Sequence, residues 1–150
     1  MCPDVFTVEK RSLVMAQIRG GGNASTELCL ITLMKKFGIT GWRRRQNLYG
    51  RPDFVFRSIR LAVFVDGDFW HGHPTRSKLP GTNVEFWRKK IEGNRRRDRH
   101  VNRILKEKGW MPVRFWEGDL RRNPGYCISR LTRLISQRSN AFEKTALKGK

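Results

Sequence analysis

Leu61-Ala62-Val63-Phe64-Val65-Asp66-Gly67-Asp68-Phe69-Trp70-His71-Gly72-His73 is the stretch around which this chain is organised. Leu61 to Val65 is an unbroken apolar run of strand length and reads as a buried strand. Asp66, Asp68, His71 and His73 follow at once, spaced by Gly67, Phe69, Trp70 and Gly72. A strand holds the residues at its C-terminal end rigidly, so chemistry is often placed there. The preceding apolar segment, Phe54-Val55-Phe56, opens with Asp53, just after Arg51-Pro52. Ser58 to Arg60 is long enough only for a hairpin turn, so strands 53–57 and 60–65 are expected to pair antiparallel at the sheet centre. That pairing brings Asp53 to the cluster at 66–73. Carboxylates and a histidine gathered at strand ends outline a site for metal-assisted hydrolysis.

Working outward, Trp42 to Leu48 reads as a basic edge strand, with Arg43, Arg44 and Arg45 in a row. Before it, Ser25 is a candidate cap and Gly38 a candidate stop for a helix whose apolar stripe includes Leu30, Ile31 and Met34. Glu27 projects from that same face. It is either a partner of the helix dipole or an acid facing an active site. A shorter helix is expected from Ser12 to about Ile18. Downstream, residues 72–83 form a loop, and a long helix is predicted from Val84 to Lys108, ending at Gly109. Trp87, Ile91, Asn94, Asp98, Val101 and Leu105 share one face of it at helical spacing. Arg95, Arg96, Arg97, Arg99 and Arg103 occupy the others, and Gly93 is a candidate bend. Trp110 to Trp116 alternates as a strand. Ile128, Leu131, Leu134 and Ile135 mark a last amphipathic helix. The order of elements predicts an α/β domain with a mixed sheet flanked by helices. Residues 1–10 are expected to be a flexible arm, 11–138 the domain, and 139–150 a disordered tail.

The chain has 150 residues, with 32 Lys and Arg against 13 Asp and Glu, a formal net charge of +19. That excess points to a polyanion held through its phosphates, most plausibly nucleic acid, rather than to solubility alone. The bland alternative is a merely basic surface protein. No apolar run approaches a membrane span, and no secretory signal opens the chain. Cys2, Cys29 and Cys127 make neither a disulfide framework nor a CxxC site, so a reducing cytosol is the expected setting.

Taken singly, the candidate residues are weak signals. A lone buried Asp such as Asp98 is more often a satisfied structural group, and a lone His has the same bias. Trp70 and Trp87 alone read as core. Convergence carries the weight: Glu27, Asp53, Asp66, His71 and Asp98 can all reach one end of one sheet. Phosphodiester hydrolysis needs a divalent ion held by carboxylates, a base titrating near neutrality, and a carboxylate behind that base.

The chain resembles the very-short-patch repair endonucleases, a bacterial branch of the restriction-endonuclease-like PD-(D/E)XK superfamily. The resemblance rests on Arg11-Ser12…Met15…Ile18-Arg19, Glu27-Leu28, Gly50-Arg51-Pro52-Asp53 and Val65-Asp66-Gly67…Phe69-Trp70-His71-Gly72-His73. It continues through Glu85-Phe86-Trp87…Lys90-Ile91…Asn94…Arg97-Asp98, Gly109-Trp110 and Trp116-Glu117. These run in the family's order and nearly its spacing. The resemblance implies a three-layer fold and an Mg²⁺-dependent endonuclease that nicks one strand at or near a T:G mismatch. Asp53 then corresponds to the metal-ligating carboxylate, the Val65 backbone carbonyl to a second ligand, and Glu27 to an acid acting through water. His71 corresponds to the activator of the attacking water, with Asp98 orienting it, and Asp66 lies at the same site. Phe69, Trp70 and Trp87 correspond to aromatics inserted beside the mismatch, Met15 to the residue approaching from the other side, and Lys90 to a groove contact. Phe69 and Trp70, as neighbours in an extended segment, would point to opposite faces.

One departure stands out. The family typically holds a structural zinc, and its cysteine positions fall here on Asp68, Thr75 and Gly118, with only His73 matching. One retained ligand cannot close a tetrahedral site, so zinc is expected to be absent. The implied partner is mismatched double-stranded DNA, met by a monomer in the cytoplasm at the nucleoid, with mismatch-repair proteins as further partners. Two alternatives are a related site-specific or restriction-associated nuclease without mismatch preference, and a catalytically inactive DNA-binding module. The intact Glu27, Asp53, His71 and Asp98 argue against the second.

Overall fold

The computed structural model describes residues 24–148. The arm at 1–10 and the short helix with Met15 lie outside them. Helix α1, Ala24–Lys36, is followed by strands β1, Trp42–Arg44, and β2, Phe54–Phe56, and a 3₁₀ turn at Arg57–Ile59. Then come β3, Leu61–Asp66, α2, Val84–Glu107, and β4, Met111–Trp116. Helices α3, Glu117–Arg122, and α4, Pro124–Lys148, end the described chain. The sheet order is β1-β2-β3-β4. The first three strands are antiparallel, and β4 lies parallel to β3, since α2 carries the chain back across the sheet. The sheet is therefore mixed, as expected.

Alternation along the strands assigns the two faces. Phe54, Phe56, Leu61, Val63, Val65, Val113 and Phe115 pack with Leu30, Leu33 and Met34 of α1, Leu120 of α3 and Ile128 and Leu131 of α4 in one core. Ala62 and Phe64 point the other way, onto Val101 and Leu105 of α2. Three layers result, with the sheet between helices. Asp66 and Arg114 share the α2 side, because each is in alternation with the opposite core.

Gly38 ends α1 at φ +68°, with Ile39 N–H reaching back to the Met34 carbonyl at 2.8 Å. Arg60 takes a left-handed φ of 50° to close the turn between β2 and β3. Three details differ from the sequence expectation. Strand β1 stops at Arg44, because Arg45 has φ 51° and turns the chain out of the sheet. Helix α2 runs unbroken through Gly93. Helix α4 continues to Lys148 instead of giving way to a tail at 139; Phe142 packs against the core, and Arg138 donates to the Ile59 and Gly109 carbonyls. Cys127 is a free buried thiol, and Cys29 Sγ lies 3.8 Å from the Leu120 carbonyl of α3.

Candidate active site

Asp53 sits one residue before β2, beside the C-terminal end of β3. Its Oδ2 accepts the Val65 backbone N–H at 2.7 Å. In a strand the N–H and C=O of one residue point the same way, so the Val65 carbonyl also lies on the Asp53 side. Glu27, in the first turn of α1, stands where it can accept a hydrogen bond from a protonated Asp53 carboxyl and is held by the Arg44 guanidinium at 2.7 Å. Burial, and then the Glu27 charge and hydrogen bond, push the Asp53 carboxyl up to about 7, despite the Val65 N–H. Both acids line an open cleft of about 520 Å³, with Arg44, Arg45, Gln46, Asn47, Arg51 and Pro52. Two converging carboxylates, one reluctant to ionise in the absence of a counter-charge, with a carbonyl beside them, are hard oxygen donors that fit a divalent cation such as Mg²⁺.

His71 follows β3 in a tight turn, where its N–H bonds the Gly67 carbonyl at 3.2 Å. Its Nδ1 is 2.5 Å from Asp98 Oδ2 on the inner face of α2. That bond leaves Nε2 as the nitrogen able to face a substrate. Asp66 Oδ1 is 3.9 Å from the same Nδ1. Burial opposes the charged imidazole, but the Asp98 hydrogen bond and the Asp66 charge outweigh it, and the His71 pKa is raised.

Asp66 is a buried acid, 4% exposed, and burial raises its pKa. It is paired with Arg114, whose Nη1 lies 3.0 and 3.2 Å from the two carboxylate oxygens. Arg114 also lies 3.5 Å from Asp98 Oδ1, donates to Asn102 at 3.0 Å, and rests on the Phe64 ring at 4.2 Å. Asp66, His71 and Asp98 offer atoms within 4.8 Å of one another, a spacing that suits a metal ion. Arg114 already supplies the positive charge there, so the trio reads as a proton-handling unit rather than a cation site. The sequence reading missed Arg114. Its signal was available: an arginine between Val113 and Phe115, in phase with Asp66 and facing the helix that carries Asp98.

The aromatics form one cluster above the site. Ring centroids lie 5.1 Å apart for Phe69 and Trp70, 5.5 Å for Phe69 and Trp87, and 5.8 Å for Trp70 and Trp87. Residues 67–73 turn rather than extend, so Phe69 and Trp70 do not diverge to opposite faces but pack together. Trp87 belongs to neither core and is half-buried, while Trp70 is 46% exposed. Asn94 of α2 fixes the turn by donating to the Trp70 carbonyl at 2.8 Å. Gly72 has φ +66°, and a Cβ there would lie 2.7 Å from Ile91 Cγ2, so only glycine lets the turn settle onto α2. Lys90 is exposed on the same helix. Thus Glu27, Asp53 and Val65 form one group and Asp66, His71 and Asp98 another, both at the C-terminal end of β3, with Phe69, Trp70 and Trp87 on the turn and helix that follow. Met15 is outside the described residues.

The family model described as DNA mismatch endonuclease Vsr matches residues 3–77. The Type II nicking enzyme V.NmeDIP of Neisseria meningitidis serogroup C is 36% identical over 135 residues, 88% of this chain and 90% of the relative. The Type II nicking enzyme V.HpaIIP of Haemophilus parainfluenzae is 34% identical, over 81% of this chain and 87% of its own. The DNA mismatch endonuclease Vsr of Escherichia coli K12 is 38% identical over 119 residues, 79% of this chain and 76% of that protein.

Proposed function

The chain belongs to the Vsr family and is a DNA endonuclease, and on that premise we propose that it nicks one strand at or near a T:G mismatch with Mg²⁺ as its metal ion. The observation that carries this reading is that two units are anchored at the end of β3: the Asp53–Glu27 carboxylate pair through Val65 and the His71–Asp98 pair beside Asp66. Asp53 and the Val65 carbonyl would hold the ion, with Glu27 acting through water. When bound, the ion neutralises and polarises the scissile phosphate. His71 Nε2 takes the proton from the attacking water, and Asp98 fixes the tautomer at Nδ1 and stabilises the imidazolium that forms. Arg114 keeps Asp66 and Asp98 from accumulating unopposed negative charge behind the histidine.

Relaxation of supercoiled plasmid tests the chemistry. Nicking is expected with Mg²⁺ and not with EDTA. His71→Ala should lose about 10²- to 10⁴-fold in rate, and Asp53→Asn should lose most activity, both while still binding DNA. Full cleavage by Asp53→Asn would reject the assignment. The names of the nicking-enzyme relatives favour a second reading, a site-specific or restriction-associated nuclease without mismatch preference. Equal rates on matched and mismatched duplexes would select it.

A further inference from the structure

The positions at which the family places zinc ligands are filled differently here, and what fills them is a cation of the chain itself. Asp68 Oδ2 accepts Arg76 Nε at 2.8 Å, and Asp68 Oδ1 lies 3.3 Å from Arg76 Nη2 and 3.4 Å from the Gly118 N–H. Arg76 Nη2 donates also to Asp119 Oδ1 at 3.1 Å. His73 Nδ1 is occupied by the backbone N–H groups of Thr75 and Arg76, both at 3.1 Å, and Thr75 is exposed. Gly118 brings no ligand atom. A Cβ on it would lie 2.4 Å from Arg76 Nε and 2.5 Å from Asp68 Oδ2. The absence of a side chain at 118 is therefore what admits the guanidinium. These residues do not fit zinc, which takes thiolates and imidazoles in a closed tetrahedron.

We propose that Arg76 is a positioning residue whose guanidinium, clasped between Asp68 and Asp119, fastens the loop at 67–77 to the start of α3 and so aims Phe69, Trp70 and His71 without a metal. The connections support it. Asp68 begins the turn that carries the aromatics and His71, and its carbonyl accepts the His73 N–H at 2.8 Å. Asp119 lies in the first turn of α3, which is packed into the main core through Leu120. The Asp68 backbone N–H also meets Glu117 of that turn at 3.3 Å. A planar, always-charged fork can span two carboxylates at once, which a lysine ammonium does poorly. The Arg76 and Asp68 side chains are 18% and 17% exposed and that of Asp119 is 32% exposed, so solvent screens the Asp68 half of the clasp less than the Asp119 half.

The test uses the full chain with Arg76→Met, which keeps the apolar stem, and with Asp119→Asn and Arg76→Lys. Amide hydrogen exchange over residues 67–77 reads the loop without DNA, so it stands apart from mismatch specificity. Arg76→Met is expected to speed exchange there at least about tenfold while β3 stays protected. It should lower the nicking kcat about 10- to 100-fold, since small misplacements of catalytic groups are costly, with KM changed less than about threefold. Asp119→Asn should produce a smaller change in the same direction, and Arg76→Lys should recover part of the loss. Added zinc should rescue none of them. Should Arg76→Met fail to fold, Asp119→Asn carries the test. Wild-type exchange and kcat in Arg76→Met, or in that case in Asp119→Asn, would overturn the proposal. About one zinc per wild-type chain by elemental analysis would do the same.

Discussion

His71 is under opposing influences, and their balance makes it testable by pH. Burial lowers its pKa, Asp98 and Asp66 raise it more, and Arg114 pulls it part of the way back. A base must be neutral to take a proton, so activity should rise as pH climbs through a His71 pKa above 6.5. Replacing Arg114 with Met removes the lowering influence and leaves Asp66 without its partner. The acid limb of kcat/KM should then move to higher pH; an unmoved limb would mean that Arg114 has no electrostatic hold on the histidine. Asp53 gives a second residue-level prediction. Its folded pKa, about 7, lies well above the ordinary carboxylate value of 3.8. Its protonated form is the one the fold favours, so this contribution to stability is complete below pH 3.8 and is lost as pH rises through 7. At pH 8 Asp53→Asn should therefore be more stable than the unmutated chain, by about 1–2 kcal/mol once partial exposure is discounted, and not so at pH 4. Mg²⁺ should raise the unfolding temperature of the unmutated chain at pH 8 and leave that of Asp53→Asn unmoved. Calorimetry reads both.

The aromatics of the turn between β3 and α2 are a cluster apart from both cores, and the proposed function assigns them the reading of DNA. Phe69, Trp70 and Trp87 pack ring to ring, and the exposed member is Trp70, which the proposed function makes a wedge. A wobble pair stacks and pairs less well than a correct one, so opening its step costs less. Unstacking costs a few kcal/mol per step, part of which ring stacking returns. Phe69→Ala and Trp70→Ala should thus reduce the preference for T:G over T:A duplex more than overall affinity, as measured by competition binding. Lys90 is exposed on α2, and the proposed function gives it contacts inside the groove. Much of this was legible beforehand. The apolar run 61–65, the acids at 53 and 66 and the inward stripe of α2 follow from periodicity, which long regular elements obey. What escaped depends on tertiary partners. Arg114 in an apolar strand makes sense only once Asp66 and Asp98 are known to face it. Helix α3 is six residues long, too short for a periodic signal. Arg45 takes a left-handed φ that an arginine does not advertise. The convergence of Phe69 and Trp70 required a turn where alternation predicted extension.

The whole molecule carries +19 over 150 residues, and much of that charge is displayed on one helix. Arg88, Lys89, Lys90, Arg95, Arg96, Arg97, Arg99 and Arg103 are all exposed on α2, whose inner face holds Asp98 at the site. The same helix thus presents basic charge outward and holds Asp98 against His71 inward, which in the proposed function bind phosphate and orient the base. No helix among the described residues is long and apolar enough to cross a membrane. If six to ten phosphates are neutralised, DNA affinity should fall about 10³- to 10⁵-fold between 50 and 200 mM salt, because each contact releases condensed counterions. A titration with a flat salt response would contradict phosphate-dominated binding. The most direct measurement compares initial nicking rates on two duplex pools with randomised flanks, one with a central T:G pair and one with T:A, each with Mg²⁺ or with EDTA. The expected result is Mg²⁺-dependent cleavage of one strand, faster on the T:G pool and lost in Asp53→Asn. Equal rates on the two pools, or cleavage that persists in EDTA, would contradict the account.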